Sequence, residues 1–328
     1  PAELCIGPFF LFPFSLIKGS LYFRCINKSI NLKLECMKQL KTSLLLLFII
    51  ISMAACNNQD TGKENIKARQ AKGKLFIIGG GHKPDQMLNN LVSISGLDSS
   101  GYVVILPMSS SVPDTSGFYM TQDFQKAGVK NVFVFNLQSE DQVTLSKLDS
   151  VRNATLIYMT GGNQNTFMEK VGESPLPEAI RQAYRDGATV AGTSAGAALM
   201  SKQMITGDEF KHPEYTGNFR TIEANNIELA PGVGVLEEAI VDQHFIKRMR
   251  MNRLISAILE NPDKTGIGID ESTAILVEGN QATVYGIGQV MVIRHTQKES
   301  KVKNGLLGGK DLNLSIYLPG ESFKIKEN

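Results

Sequence analysis

From Lys74 onward the chain alternates short β-branched runs with helix-period segments, and this alternation constrains the fold most strongly. Lys74 to Ile78, Tyr102 to Leu106, Asn131 to Asn136 and Ala154 to Met159 read as strands, each short and nearly continuous in apolar character. Between them, Pro84 to Ile94, the Asp114 to Ala127 region and Asp141 to Val151 read as helices, and Pro177 to Asp186 as a fourth. Met87, Leu88, Leu91 and Val92 recur at helical spacing on one face of the first. Apolar strands separated by helices imply a mostly parallel sheet covered on both faces, an α/β three-layer sandwich. Later segments, Thr273 to Val277, Ala282 to Ile287, Gln289 to Arg294 and Leu312 to Leu318, have the tight turns of a C-terminal antiparallel β extension. In a parallel sheet, ligands bind beyond the carboxyl ends of the strands. Chemistry is therefore sought at those ends.

One strand end stands out. Thr189-Val190-Ala191 runs into Gly192-Thr193-Ser194-Ala195-Gly196, a Gly-x-Ser-x-Gly elbow that lifts a serine hydroxyl off the end of a strand. Its plainer reading is a glycine-rich βα turn. A serine at neutral pH needs a base, and the base an orienting acid. Of the four histidines, His295 falls in a late strand and His212 in a polar segment. His82, after Gly79-Gly80-Gly81, is a candidate, and His244, at the end of Val241-Asp242-Gln243, is the better placed. Gly266-Ile267-Gly268-Ile269 ends in Asp270 and Glu271, which strand alternation points in opposite directions; the pattern alone leaves the choice open. Oxyanion donors are expected from the amide of Ala195 and from the Gly161-Gly162-Asn163 turn, Gly162 and Asn163 in particular. Arg248, Arg250 and Arg253 crowd the segment after His244, either as a solvated helix face or as a grip for substrate carboxylates. The polar stretch from Gly207 to Asn226 reads as a loop over the site.

The N-terminal part is of another kind. Met37-Lys38-Gln39-Leu40-Lys41, the apolar run from Leu44 to Ile51 and Ser52-Met53-Ala54-Ala55 before Cys56 read as a signal peptide ending in a lipobox (residues 37–55). Its ending resembles that of bacterial lipoproteins, and Cys56 is then the lipid-attachment residue of an exported protein on the periplasmic or cell-surface side of a membrane. Residues 1–36 precede a plausible start methionine and are read as an extension outside the fold; residues 56–73 are a polar tether and 74–328 the folded domain. Cys5, Cys25 and Cys36 all lie upstream, so processing at Cys56 leaves no internal disulfide, no thiol nucleophile and no Cys-based metal site; neither metal nor cofactor is expected. Residues 1–55 carry six Lys/Arg against two Asp/Glu, leaving 28 basic and 30 acidic residues beyond, a balance that gives no nucleic-acid surface.

Four motifs together resemble the cyanophycinase family of serine peptidases, which also includes the Asp-specific dipeptidase E. They are Gly161-Gly162-Asn163-Gln164, Gly192 to Ala197, Asp242-Gln243-His244-Phe245 with Arg248, Arg250 and Arg253, and Gly266 to Glu271, in register from about Lys74 to about Val292. The resemblance implies a fold akin to class I glutamine amidotransferases, a Ser194–His244–Glu271 triad, and substrate contacts from Gln164, Asp242, Gln243 and the three arginines. It further implies a homodimer acting on an aspartate-containing polymer or peptide: cyanophycin, an aspartate backbone whose β-carboxyls carry arginine, released as β-Asp-Arg dipeptides. Short Asp-X or isoaspartyl peptides are the alternative substrates, and a non-catalytic lipoprotein that captures acidic peptides is the alternative of another class. Serine at position 194 disfavours an amidotransferase, whose nucleophile is cysteine.

Overall fold

The computed structural model describes residues 71–97, 101–214 and 219–327. The segments expected as N-terminal extension and signal peptide, Cys56 and nearly all of the expected tether lie outside these residues. In chain order the elements are β1 (Lys74–Ile78), α1 (Asp85–Ser95), β2 (Val103–Leu106), α2 (Pro113–Lys126), β3 (Val132–Val134), α3 (Leu145–Arg152), β4 (Leu156–Met159), α4 (Gln164–Val171), α5 (Leu176–Asp186), β5 (Thr189–Thr193) and α6 (Ala195–Ala198). There follow β6 (Gln203–Glu209), β7 (Ile227–Pro231), β8 (Ala239–Gln243), α7 (Met251–Glu260), β9 (Thr265–Ile269), β10 (Thr273–Glu278), β11 (Gln281–Gly286), β12 (Val290–His295), β13 (Ser300–Lys303), β14 (Leu306–Gly309), β15 (Leu312–Tyr317) and β16 (Ser322–Lys324).

The main sheet runs β16-β11-β10-β1-β5-β4-β2-β3, with β1, β5, β4, β2 and β3 parallel and the other three joined on by antiparallel pairings. This is the expected α/β architecture, with the serine elbow leaving a central strand. Alternation along β1 sends Phe76 and Ile78 to one face, among Met87, Leu91 and Phe124 of α1 and α2, and Leu75 and Ile77 to the other. The second face is closed by α3, α4, α5 and α6, and by the inward residues of a further sheet.

That further sheet, in the order β15-β12-β9-β8, is what the strand pattern did not foresee. The C-terminal strands do not form one extension. β10, β11 and β16 widen the main sheet, while β12 and β15 join β9 and β8. The glycines of β9 explain why a layer can form here. A Cβ on Gly268 would strike the Phe245 ring, and one on Gly266 the side chains of Leu254 and Ile258, so their absence lets α7 and Phe245 pack directly on the strand.

Several local departures have simple causes. The third helix begins at Leu145, because Thr144 Oγ1 accepts from the Lys147 amide as its N-cap. A helix at Gln164–Val171 was not foreseen; the Asn163 side chain caps it, accepting from the Asn165 amide at 2.8 Å. Of the segment expected as a loop over the site, Gly207 to Glu209 close β6 and the described residues that follow connect it to β7. That connection hydrogen-bonds to α7 through Asn252 Nδ2 and the Phe219 carbonyl, and beside the β13–β14 hairpin through the Ala224 amide and the Gly305 carbonyl. Among the described residues no helix is long and apolar enough to cross a membrane.

Candidate active site

Ser194 sits between β5 and α6 with φ 54° and ψ −113°, a conformation that L-residues rarely adopt. Its amide donates to the Ile78 carbonyl at 3.0 Å, tying the elbow to the end of β1. The flanking glycines are sterically required. A Cβ on Gly192 would meet the Gly196 carbonyl, and one on Gly196 would meet the Met159 carbonyl of β4. The strain at Ser194 is thus held by close packing on both sides, as expected for a side chain presented in a fixed direction.

The direction is towards His244. Ser194 Oγ lies 2.9 Å from His244 Nε2, and His244 Nδ1 lies 2.6 Å from Glu271 Oε1. His244 ends β8 and Glu271 follows β9, parallel neighbours in the second sheet, so the relay spans the junction between the two sheets. Gly79-Gly80-Gly81 makes that junction possible. The Gly79 carbonyl accepts from the His244 amide at 2.7 Å; a Cβ on Gly80 would enter the imidazole, and one on Gly81 would press on the Glu271 side chain. The triple glycine therefore clears space for base and acid.

The two candidates left open at each position separate cleanly in space. Asp270 points away, its Oδ1 accepting from the Lys247 amide at 2.9 Å, while Glu271 turns to the imidazole. His82 is exposed, His212 lies 3.1 Å from Glu223, and His295 is buried and accepts from the Lys298 amide. Burial pushes the His244 pKa below its ordinary value; the hydrogen bond to Glu271 opposes this and the charge of Arg248 adds to it. The hydrogen bond from His244 in turn holds the Glu271 carboxyl below the usual range. The imidazole is thus favoured neutral, with its proton on Nδ1 facing the carboxylate and the lone pair of Nε2 facing the serine.

The expected oxyanion donors differ in their partners. The Asn163 backbone N–H donates to the Ser109 carbonyl at 2.8 Å and its side-chain oxygen accepts from the Asn165 amide as the cap of α4. Ala195 opens α6, where its amide has no intrahelical acceptor. Gly161 and Gly162 remain at the mouth of the elbow; a Cβ on Gly161 would stand 3.2 Å from Ser194 Cβ, and one on Gly162 would collide with the Ser109 carbonyl. Sequence reasoning missed Ser109, whose place after β2 gave no signal.

The expected substrate contacts divide in two. Gln164 is buried, and its Nε2 donates to the Ile205 and Thr206 carbonyls at 2.7 Å each, clamping β6 to α4. Arg253, 1 % exposed, grips Asp242, also 1 % exposed, through a fork in which Nε donates to Oδ2 at 2.7 Å and Nη2 to Oδ1, and its guanidinium stacks 4.6 Å from the Phe219 ring. Arg250 Nη1 donates to the Gln243 carbonyl at 2.7 Å and to its Oε1 at 2.8 Å, and lies 3.7 Å from Asp242. Asp242, Gln243, Arg250 and Arg253, all expected to touch substrate, thus engage one another. The reason is electrostatic: charges this deep need partners within the fold. Arg248 alone of the three arginines is exposed, and its charge reaches both His244 and Glu271.

Ser194, His244, Gly80, Gly161, Tyr158 and Lys83 are among the residues lining a cavity of about 390 Å³ at this point. No cluster of His, Cys, Asp and Glu suited to a metal ion occurs among the described residues. The arrangement can lend a serine oxygen to an acyl carbon and take up its proton.

Comparison with known proteins places these features in context. The model of Peptidase family S51 matches residues 75–285. A cyanophycinase of Nostoc sp. is 32% identical over 265 residues, covering 77% of this chain and 86% of the relative. A cyanophycinase of Synechococcus elongatus is 32% identical over 270 residues, covering 78% and 80%. A peptidase E of Actinobacillus pleuropneumoniae is 26% identical over 151 residues, covering 44% and 59%. Among solved structures, a peptidase from an acI-B1 Actinobacterium shares the fold with a TM-score of 0.57 at 19% identity, over 78% of this chain and 98% of that one.

Proposed function

The chain belongs to Peptidase family S51 and is a serine-type peptidase of the cyanophycinase and peptidase E kind; on that premise we propose that it hydrolyses cyanophycin to β-Asp-Arg dipeptides through Ser194, His244 and Glu271. The observation that carries the reading is the continuous contact Ser194 Oγ–His244 Nε2 and His244 Nδ1–Glu271 Oε1, at 2.9 and 2.6 Å. His244 Nε2 accepts the hydroxyl proton as Oγ adds to the carbonyl carbon of an aspartyl residue. The Ala195 and Gly162 amides receive the oxyanion, a contribution of about 2.7–4 kcal/mol per donor in comparable sites. The imidazolium, steadied by Glu271, then returns that proton to the departing amine, leaving an acyl-enzyme. Water attacks the ester with His244 again as base, and the acid and Ser194 are released.

Charge as well as the relatives' names supports this substrate. Arg248 stands exposed beside the relay, where a guanidinium would meet a carboxylate in two-point fashion, in cyanophycin that of an arginine carried on the backbone. Peptidase E similarity supports a second reading, hydrolysis of soluble Asp-X or isoaspartyl peptides. Incubation of the purified domain with insoluble cyanophycin and with Asp-X dipeptides, followed by mass spectrometry, distinguishes them: β-Asp-Arg from the polymer supports the first, turnover of dipeptides alone the second. Release of neither product, with Ser194 unlabelled by a serine-directed reagent, would favour a non-catalytic peptide-binding protein.

The lipobox reading supports an exported lipoprotein anchored at Cys56, scavenging polymer or peptide from outside, and the family resemblance supports a homodimer. Loss of membrane association in Cys56→Ser, and the mass measured by light scattering, test these two points.

A further inference from the structure

We propose that a second cavity, between α4, α5 and the β6–β7 hairpin, is an accessory site for guanidinium groups, holding arginine side chains of the polymer while Ser194 works on its backbone. The inference rests on the proposed substrate for the source of the cation, and adds to it a site that the catalytic relay does not touch. At about 520 Å³ the cavity exceeds the catalytic one, and neither Ser194, His244 nor Glu271 lines it. It adjoins the elbow nonetheless. Asn165, in its wall, is three residues from Gly162, which limits the distance between their backbones to about 11 Å. Thr206 of β6, also in the wall, is tied to α4 through its carbonyl and Gln164 Nε2.

The lining selects an elongated cation. Met168, Met204 and Pro177 supply an apolar wall, and around it stand Glu169, Glu173, Glu178 and Glu228 against a single cation, Arg181. Arg181 is already engaged: it donates to Glu178 Oε2 and to the Val233 carbonyl at 2.7 Å each, while Arg185 holds the other oxygen of Glu178. Glu169, Glu173 and Glu228 have no Lys, Arg or His nitrogen within 4.0 Å among the described residues. Glu228 is half-buried, and its carboxylate receives one donor, the Thr206 hydroxyl at 2.8 Å. The wall adds an orphaned acceptor, Asn165 Oδ1, which is buried and receives no hydrogen bond. These carboxylates do not converge on a point, for among the described residues no three such groups are placed to hold a metal ion. Spread acceptors beside an apolar wall fit a guanidinium, whose five N–H donors point several ways, on a methylene stem. Cyanophycin carries that group all along its backbone. A chain engaged at Ser194 therefore presents further arginines on either side, and one held here raises the local concentration of scissile bonds.

A binding arm independent of hydrolysis uses Ser194→Ala with n-butylguanidinium as the probe. Calorimetric titration should show one site, weakened at least about 10-fold by Glu228→Gln through loss of one charge-assisted contact. Glu169→Gln combined with Glu173→Gln should weaken it likewise. No binding, binding indifferent to these changes, or binding abolished instead by Asp123→Asn in the catalytic cavity overturns the proposal. The polymer arm compares the wild type with Glu228→Gln on insoluble cyanophycin. KM should rise about 10-fold or more while kcat is nearly kept; a fall in kcat at unchanged KM refutes an accessory role. A wild type that leaves cyanophycin intact, with n-butylguanidinium binding still dependent on Glu228, retains the guanidinium site and refutes the substrate reading alone. Should Glu228→Gln melt below the assay temperature, Glu173→Gln, at an exposed position, takes its place.

Discussion

Substituting Arg253 by alanine separates a buried framework from a substrate grip. Arg253 Nε and Nη2 both donate to Asp242, which also accepts from the Gln243 amide, and all of this lies out of contact with water. In Arg253→Ala the Asp242 carboxylate keeps Arg250 only at 3.7 Å, and the ring of Phe219 loses its guanidinium. Removing one member of a buried pair costs about 3–5 kcal/mol, because the remaining charge stays desolvated. For a domain of this size each kcal/mol lowers Tm by about 2–4 °C, so a fall of roughly 6–20 °C is expected. Activity should fall too, since Asp242 is two residues from His244 on the same strand end. Arg248→Ala is the control: an exposed side chain changes stability by less than about 0.5 kcal/mol, while kcat/KM for aspartate-rich substrates drops. Differential scanning calorimetry on both variants, with kinetics at a temperature where both are folded, makes the comparison. Arg253→Ala with wild-type Tm and a selective rise in KM would refute the assignment of Arg253 to the framework.

Further perturbations test the relay. Ser194→Ala should lose on the order of 10⁴–10⁶ in rate with an unchanged fold, and adding His244→Ala should cost little more; full activity in His244→Ala with loss in His82→Ala would move the base. Because burial lowers the His244 pKa, the acid limb of kcat/KM should lie below the ordinary histidine value of about 6.5. Arg248→Ala should move that limb up and Glu271→Gln should move it down; shifts of opposite sign contradict the charge assignment. The same depression means His244 contributes stability that is present above its unfolded pKa and lost as pH falls through the folded one, a trend that urea titrations across that window would detect. Gly80→Ala places a methyl group against the imidazole and should reduce kcat far more than urea resistance; normal kcat would show that the glycine turn does not set the base. Activity should also survive exhaustive chelation, and a requirement for an added divalent ion would disprove the metal-free chemistry.

The sequence alone carried the layered sheet, because strand and helix periods are local properties of residues such as Leu75 to Ile78 and Met87 to Val92. It likewise carried the serine elbow, since a strained turn between close-packed strands must spell Gly-x-Ser-x-Gly. Its strand-end position set His244 ahead of the other histidines, and the family resemblance chose Glu271 over Asp270. What residue types could not reveal was which polar groups spend their hydrogen bonds inside. Arg248, Arg250 and Arg253 look alike in the chain, yet one is exposed and two are locked on Gln243 and Asp242. Nor does the chain show that the Asn163 backbone N–H donates to the Ser109 carbonyl from another strand end. Nor could local pattern show that β8 and β9 leave the main sheet, or that the triple glycine exists to admit an imidazole from that second layer. Periodicity is fixed by neighbours along the chain. Whether a charge binds substrate or framework is fixed by burial and by partners that only tertiary packing brings within hydrogen-bond range.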